Sequence, residues 1–246
     1  MKILITGASS GIGRELALSY AKQGHELFIT GRNQARLEQV DKEIVKLGGK
    51  ATSFIANVCD QQQMRDIIHG IKHLDLVIAN AGISTGTMAT HDASESKSRE
   101  VIDTNIWGVV NTVYPAIDLM KKQGSGQIGL ISSMASFRGL GGASAYCSSK
   151  AFVRLLGESL HVDLKKHNIH VSVICPGWVK SALTDKNEFS MPFILETDQA
   201  VKKITKGLHK KKPFIKFPWP IYLSVRFLEL IPMKLSTLIL HKLPTK

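Results

Sequence analysis

Residues 2–6, KILIT, are a short apolar run that leads straight into GASSGIG and then into helical spacing at Glu15, Leu16, Ala17 and Tyr20. A strand that turns at once into a helix through Gly7, Gly11 and Gly13 leaves few alternatives. Without Cβ atoms the turn can bring its backbone close to a ligand, and the helix N-terminus behind it carries partial positive charge. Phosphate groups settle at such junctions. The spacing is G-x-x-x-G-x-G, distinct from the commoner G-x-G-x-x-G fingerprint. A glycine-rich turn alone is also an ordinary tight turn, and its place after the first strand is what gives it weight.

Similar apolar runs recur at 26–30 (ELFIT), 52–56 (TSFIA), 74–79 (LDLVIA), 127–132 (QIGLIS) and 169–175 (IHVSVIC), with a short seventh near Phe214–Phe217. Segments with helical spacing separate them, at about 11–23, 33–47, 60–70, 95–122, 144–167 and 197–211. Nearly continuous apolar strands alternating with helices read as a parallel sheet covered on both faces. Right-handed crossovers make it a doubly wound, Rossmann-like α/β domain with its ligand at the carboxyl ends of the strands. The expectation is one domain over 1–217, a seven-stranded mostly parallel sheet, and a helical C-terminal tail over 218–246.

In SAYCSSKAF, Tyr146 and Lys150 are four apart on a helix and share a face, with Ser133 thirteen residues upstream at the end of an apolar run. A cation beside a phenol favours phenolate and lowers its pKa, which suits an acid/base near neutral pH. Any one such pair is usually a solvated helix face; the spacing with Ser133 and the glycine turn make the set specific.

These features together resemble the short-chain dehydrogenase/reductase family, through TGASSGIG (Thr6–Gly13), ANAG (Ala79–Gly82), Asn105, Ser133, the Tyr146/Lys150 pair and Pro176-Gly177. The match runs in order over roughly residues 1–210. The resemblance implies that Tyr146 exchanges a proton with the substrate oxygen, Ser133 hydrogen-bonds that oxygen, and Lys150 binds the nicotinamide ribose. Asn105 would hold a helix irregularity and a proton-relaying water. As cofactor contacts it implies Gly7, Ser9, Ser10, Gly11, Ile12 and Gly13 in the first turn, Arg32 after strand two, and Asn57 and Val58 after strand three. Asn80, Ala81 and Gly82 follow strand four; Tyr146 and Lys150 count twice; Pro176, Gly177, Val179 and Ser181 follow strand six. Where the family often has aspartate after strand three, this chain has Asn57, whose side-chain carbonyl can accept the same adenine bond. Ser181 replaces a frequent threonine and keeps its hydroxyl.

After strand two the chain reads TGRN, with Gly31 and Arg32 where a carboxylate would select NAD. A guanidinium suits a 2′-phosphate, so NADP(H) is the expected cofactor ahead of NAD(H). Ala182–Glu196 is the expected substrate lid, made apolar by Met191, Phe193, Ile194 and Leu195, with Met134, Phe137 and Trp178 as further pocket candidates. The leading reading is an NADPH-dependent aldehyde or ketone reductase acting on a lipophilic substrate. A β-ketoacyl-thioester reductase and a catalytically silent dinucleotide sensor are the alternatives. By resemblance, helices 95–122 and 144–167 would join a homodimer or homotetramer.

Cys59, Cys147 and Cys175 have neither disulfide nor metal-ligand spacing, so no metal site is expected. The first strand starts at Lys2, which leaves no signal peptide and fits a cytoplasmic setting. Charge is concentrated at one end: residues 202–246 hold eleven of the chain's 32 basic residues and one acid, Glu229. Pro232 should divide the tail into two short helices. Two readings of the tail stay open, a cover that walls the substrate pocket and a peripheral anchor on an anionic membrane surface. Few aromatics and no reading module argue against nucleic acid.

Overall fold

The computed structural model describes residues 1–84, 94–182, 184 and 190–240. Its strands are β1 (Lys2–Ile5), β2 (Glu26–Gly31), β3 (Lys50–Ile55), β4 (Leu76–Ala79), β5 (Gly126–Ile131), β6 (Ile169–Pro176) and β7 (Phe214–Phe217). They form one seven-stranded sheet in the order β3-β2-β1-β4-β5-β6-β7, parallel at every pairing. β4 is buried at all four positions, as a strand covered on both faces must be.

The helices are α1 (Gly11–Ala21), α2 (Gln34–Lys46), α3 (Gln61–Gly70), α4 (Ser94–Ile102), α5 (Gly108–Gln123), α6 (Ser144–Asp163) and α7 (Thr197–His209). Local chemistry sets several ends. Asn33 caps α2 by accepting from Arg36 N at 2.9 Å, and Asp60 caps α3 by accepting from Gln63 N at 2.9 Å. Gly124, at φ +74°, ends α5 in the left-handed conformation. Leu16, Leu37 and Ile204 of α1, α2 and α7 close one face of the sheet. Met64, Val113 and Val153 of α3, α5 and α6 close the other.

The expected helix over 95–122 is not continuous. Asp103–Trp107 form a π-turn between α4 and α5, with Gly108 N bonded back to Asp103 O. Apolar periodicity passes through this turn, which is why the pattern alone reads as one helix. The helix expected over 144–167 stops at Asp163, followed by a single 3₁₀ turn at Lys165–His167.

The tail forms α8 (Trp219–Leu230) and α9 (Met233–Leu240), broken at Ile231–Pro232 as Pro232 requires. Ile221, Tyr222 and Val225 of α8 pack on Met134, Phe137, Val173 and Cys175. Arg138 donates to Ser236 Oγ, which ties α9 to the loop after β5.

Gly157 measures how closely α6 lies on the sheet: a Cβ there would sit 2.5 Å from Val173 Cγ2 and 2.7 Å from Leu130 Cδ1. Gly157→Val should therefore cost about 1–3 kcal/mol by overpacking. The readout is a lower urea midpoint at unchanged m-value; an unaltered midpoint would contradict this packing.

Candidate active site

Strand order reverses between β1 and β4, so the segments leaving these strands diverge and open a crevice at the sheet's carboxyl edge. Thr6 Oγ1 accepts from the backbone N of Asn80 and of Ala81, each at 3.1 Å. Asn80 Nδ2 returns two bonds, to Thr6 O at 2.9 Å and Gly7 O at 3.2 Å. On the other side Ala8 N donates to Thr30 O at 2.9 Å, joining the turn to β2. Gly7 has φ +66°, and a Cβ there would lie 2.7 Å from Ala81 Cα; one at Gly13 would lie 2.4 Å from Gly7 O. Side chains are thus excluded at both places. Ser10 makes no side-chain bond to the first turn of α1, so the cap supplies no competitor for an anion at that end.

A cavity of about 840 Å³ starts at this turn. Gly7, Ser9, Ser10, Gly11, Ile12, Arg32, Val58, Asn80, Ala81 and Gly82 line it, as do Ser133, Tyr146, Lys150, Pro176, Gly177, Val179 and Ser181. Three expected residues do not. Gly13 is buried beneath the turn. Asn105 is fully buried behind the wall. Asn57 is exposed, and its side-chain oxygen accepts from Cys59 N at 3.1 Å in a local turn. Ala56 and Val58, on either side of it, line the cavity.

At the second end of the cavity, Ser133 Oγ accepts from Ala135 N at 3.1 Å and is hydrogen-bonded to the Tyr146 side chain. Lys150 is 4% exposed; its Nζ donates to Ile131 O at 2.9 Å and lies 5.8 Å from the centre of the Tyr146 ring. Burial lowers the Lys150 pKa from 10.5 to about 8. Burial also raises the Tyr146 pKa, and the Ser133 bond offsets part of that rise. This corrects the expectation that Lys150 lowers the phenol's pKa. Desolvation is the largest cause, and Lys150, whose described bond runs to a backbone carbonyl, is not among the groups that lower it.

Asn105 sits in the π-turn, so the expected helix irregularity is present. Its side chain bonds the loop after β4, with Oδ1 accepting from Ile83 N at 2.8 Å and Nδ2 donating to Ile83 O at 3.0 Å. Nδ2 also donates to Ser149 Oγ at 3.0 Å, linking that loop to α6. A Cβ on Gly82 would lie 3.1 Å from Asn105 Oδ1 and 3.3 Å from Lys150 Nζ, so Gly82 gives both polar groups their space.

One lining residue was not legible beforehand, and a second part of the wall is the cover that was one of the two readings of the tail. Arg36, on the first turn of α2, lines the cavity beside Arg32 and Asn33; a helical spacing of four from Arg32 was the available signal. The apolar end is walled by Ile221, Val225, Leu228, Ile239 and Leu240 of the tail. Of the described lid residues Ala182, Thr184, Ser190 and Pro192 line the cavity, and the four apolar residues expected there do not. Leu195 pairs with Val179 and packs on the sheet core, while Phe193 and Ile194 are exposed. Residues 183 and 185–189 of the lid lie outside the described residues. Met134 and Trp178 do face the cavity; Phe137 instead stacks edge-on with Phe214 and Tyr222.

The family model of the short chain dehydrogenases matches residues 1–190. The chain belongs to the short-chain dehydrogenase family. An uncharacterized oxidoreductase of Myxococcus xanthus is 37% identical over 233 residues, covering 93% of this chain and 92% of that protein. A 3-ketoacyl-ACP reductase structure from Sinorhizobium meliloti is 30% identical with a TM-score of 0.76, covering 85% of this chain and 91% of that one. A short-chain dehydrogenase from Sphingobium yanoikuyae in complex with NADPH shares the fold over 99% of this chain and 96% of its own, with a TM-score of 0.83 at 22% identity. This short-chain dehydrogenase is accordingly an oxidoreductase with a dinucleotide-binding fold.

The Lys150 shift has a stability consequence. Between about pH 8 and 10.5 the unfolded chain keeps a proton that the folded chain releases. More protons on the unfolded state mean that stability rises with pH through that window. Lys150→Met should flatten this rise, read as melting temperature against pH for both proteins. An equal slope in the variant would place the titrating proton on another group.

Proposed function

We propose that this oxidoreductase interconverts a carbonyl and an alcohol on a lipophilic substrate, with NADP(H) as cofactor. The observation that carries the reading is the convergence of Ser133, Tyr146 and Lys150 on the cavity that opens at the glycine turn. The residues fit a dinucleotide: the turn excludes Cβ atoms at Gly7 and Gly13, and the α1 N-terminus is suited to a pyrophosphate. When bound, a nicotinamide dinucleotide supplies or accepts the hydride.

The chain's own groups handle the proton. Burial keeps the Tyr146 phenol protonated at neutral pH, so it stands as the acid in the reducing direction. Ser133, hydrogen-bonded to Tyr146, directs a second hydroxyl at the same substrate oxygen and stabilises charge that develops there. Lys150 Nζ has one donor on Ile131 O, leaving two to hold a ribose hydroxyl at the cavity wall and to return a proton toward Tyr146. Asn105 acts at one remove, fixing the Ile83 loop against α6.

Support for NADP(H) comes from the end of β2. Arg32 and Arg36 flank the cavity there, and among the described residues no carboxylate does. A Cβ on Gly31 would already press Ser9 at 3.1 Å, so the site resists the acidic residue that favours NAD. Support for a lipophilic substrate comes from the apolar wall formed by the tail. Association as a homodimer or homotetramer through α5 and α6 is part of the same reading; Tyr114, Phe152 and Leu155 stand exposed on these helices.

Consumption of NADPH against a panel of aldehydes and ketones tests the reading, and binding without turnover on any of them would mark a dinucleotide-binding protein instead. Tyr146→Phe should reduce kcat by ~10²–10⁴-fold with NADPH affinity in fluorescence titration nearly unchanged. A variant that keeps most of its turnover would remove Tyr146 from the acid/base role. Replacing Arg32 and Arg36 together by Asp should lower kcat/KM for NADPH by about 10²-fold or more, because each lost charged hydrogen bond contributes ~1.5–3 kcal/mol. NADH should be affected far less, and equal losses with both cofactors would refute the phosphate contact.

A further inference from the structure

Helix α8 is apolar on both sides. Its inner residues pack on the enzyme, while Trp219, Leu223, Phe227 and Leu230, at helical spacing, form an outer stripe that is 56–76% exposed. Beyond Pro232, Met233, Leu235 and Leu238 of α9 continue it at 54–78% exposure. Contiguous exposed apolar surface of this kind marks a protein or membrane contact.

Charge decides between them. Glu229, the one acid in residues 202–246, is held by Arg226 and by Arg154, the latter at 3.7 Å, so its charge is compensated inside the protein. Lys210, Lys211 and Lys212 are exposed at the turn before β7, and Lys234 is exposed on α9. Lys216 lies 3.7 Å from the Tyr222 ring centre and 5.6 Å from that of Trp219, at the start of the stripe. Lys216, beside Trp219, and Lys234, on α9, give this face the same sign in every copy, which a second copy would meet with repulsion. An anionic lipid surface reverses that sign, and it accepts an apolar helix face at the depth of the headgroups.

We propose that the outer face of α8 and α9 docks on an anionic phospholipid bilayer, lying in its surface. No helix among the described residues is long and apolar enough to cross a membrane. The inner sides of the same helices wall the cavity, so docking sets the apolar end of the cavity against the lipid.

Flotation of the full chain with vesicles tests this without any turnover, so its outcome is separate from that of the carbonyl panel. The protein should float with phosphatidylcholine–phosphatidylglycerol vesicles at low salt, severalfold less at high salt, and little with phosphatidylcholine alone. Leu223→Glu combined with Phe227→Glu should abolish flotation, with melting temperature and gel-filtration volume unchanged. If that variant does not fold, Lys210→Glu, Lys211→Glu and Lys212→Glu together, which touch no apolar contact, should still weaken flotation severalfold. Wild type that stays at the bottom with anionic vesicles overturns the proposal. So does a folded apolar-stripe variant that floats as well as wild type. A wild-type oligomer that falls to monomer in that variant, with no flotation of either, assigns the face to a second copy and overturns it too.

Discussion

Four hydrogen bonds between Thr6, Gly7, Asn80 and Ala81 hold the crevice at the strand reversal. The segments leaving β1 and β4 diverge there, and the sheet's own ladder no longer joins them. One hydroxyl and one carboxamide replace it, with Thr6 accepting twice and Asn80 donating twice. Gly7 and Gly13 have to be glycine because this clamp draws the backbones so close. The same closeness fixes where the α1 N-terminus points, and so where an anion can sit relative to Ser133, Tyr146 and Lys150.

The reactive end follows a different logic, in which burial matters more than pairing. Tyr146 is kept protonated and Lys150 is brought toward neutral pH by the same apolar surroundings. A lysine taken out of water with a carbonyl partner costs folding energy. At 4% exposure that cost is offset only in part by the bond to Ile131 O.

What sequence revealed and what it concealed divide along physical lines. Strands covered on both faces are near-continuous apolar runs, so β1, β2 and β6 were legible to within a residue or two. The Tyr146/Lys150 face was legible because helical spacing is fixed. The sign of the Tyr146 shift was not, since burial of the phenol is set by chain segments that meet only in the fold. Asn57 lies outside the cavity lining in a local turn, its side-chain oxygen accepting from Cys59 N two residues on. The lid misled because Leu195 pairs with Val179 and turns its side chain to the core. The tail's two readings, cover and anchor, arose from an apolar content that exceeds one helix face. The fold seats one face on the enzyme and leaves the other outside.

The π-turn at Asp103–Trp107 has a bearing on how this chain tolerates change. An α-helix rotates by about 100° per residue, and a π-turn holds one residue more than the regular winding needs. Deleting one residue there would not merely shorten the segment. It would let α4 and α5 merge into a single regular rod with their flanks still facing as they do, while the wide turn that aims the Asn105 carboxamide at Ile83 and Ser149 would be lost. The surplus residue thus leaves the two helices in step and sets one side chain out of it, a local widening whose geometric product is the position of Asn105.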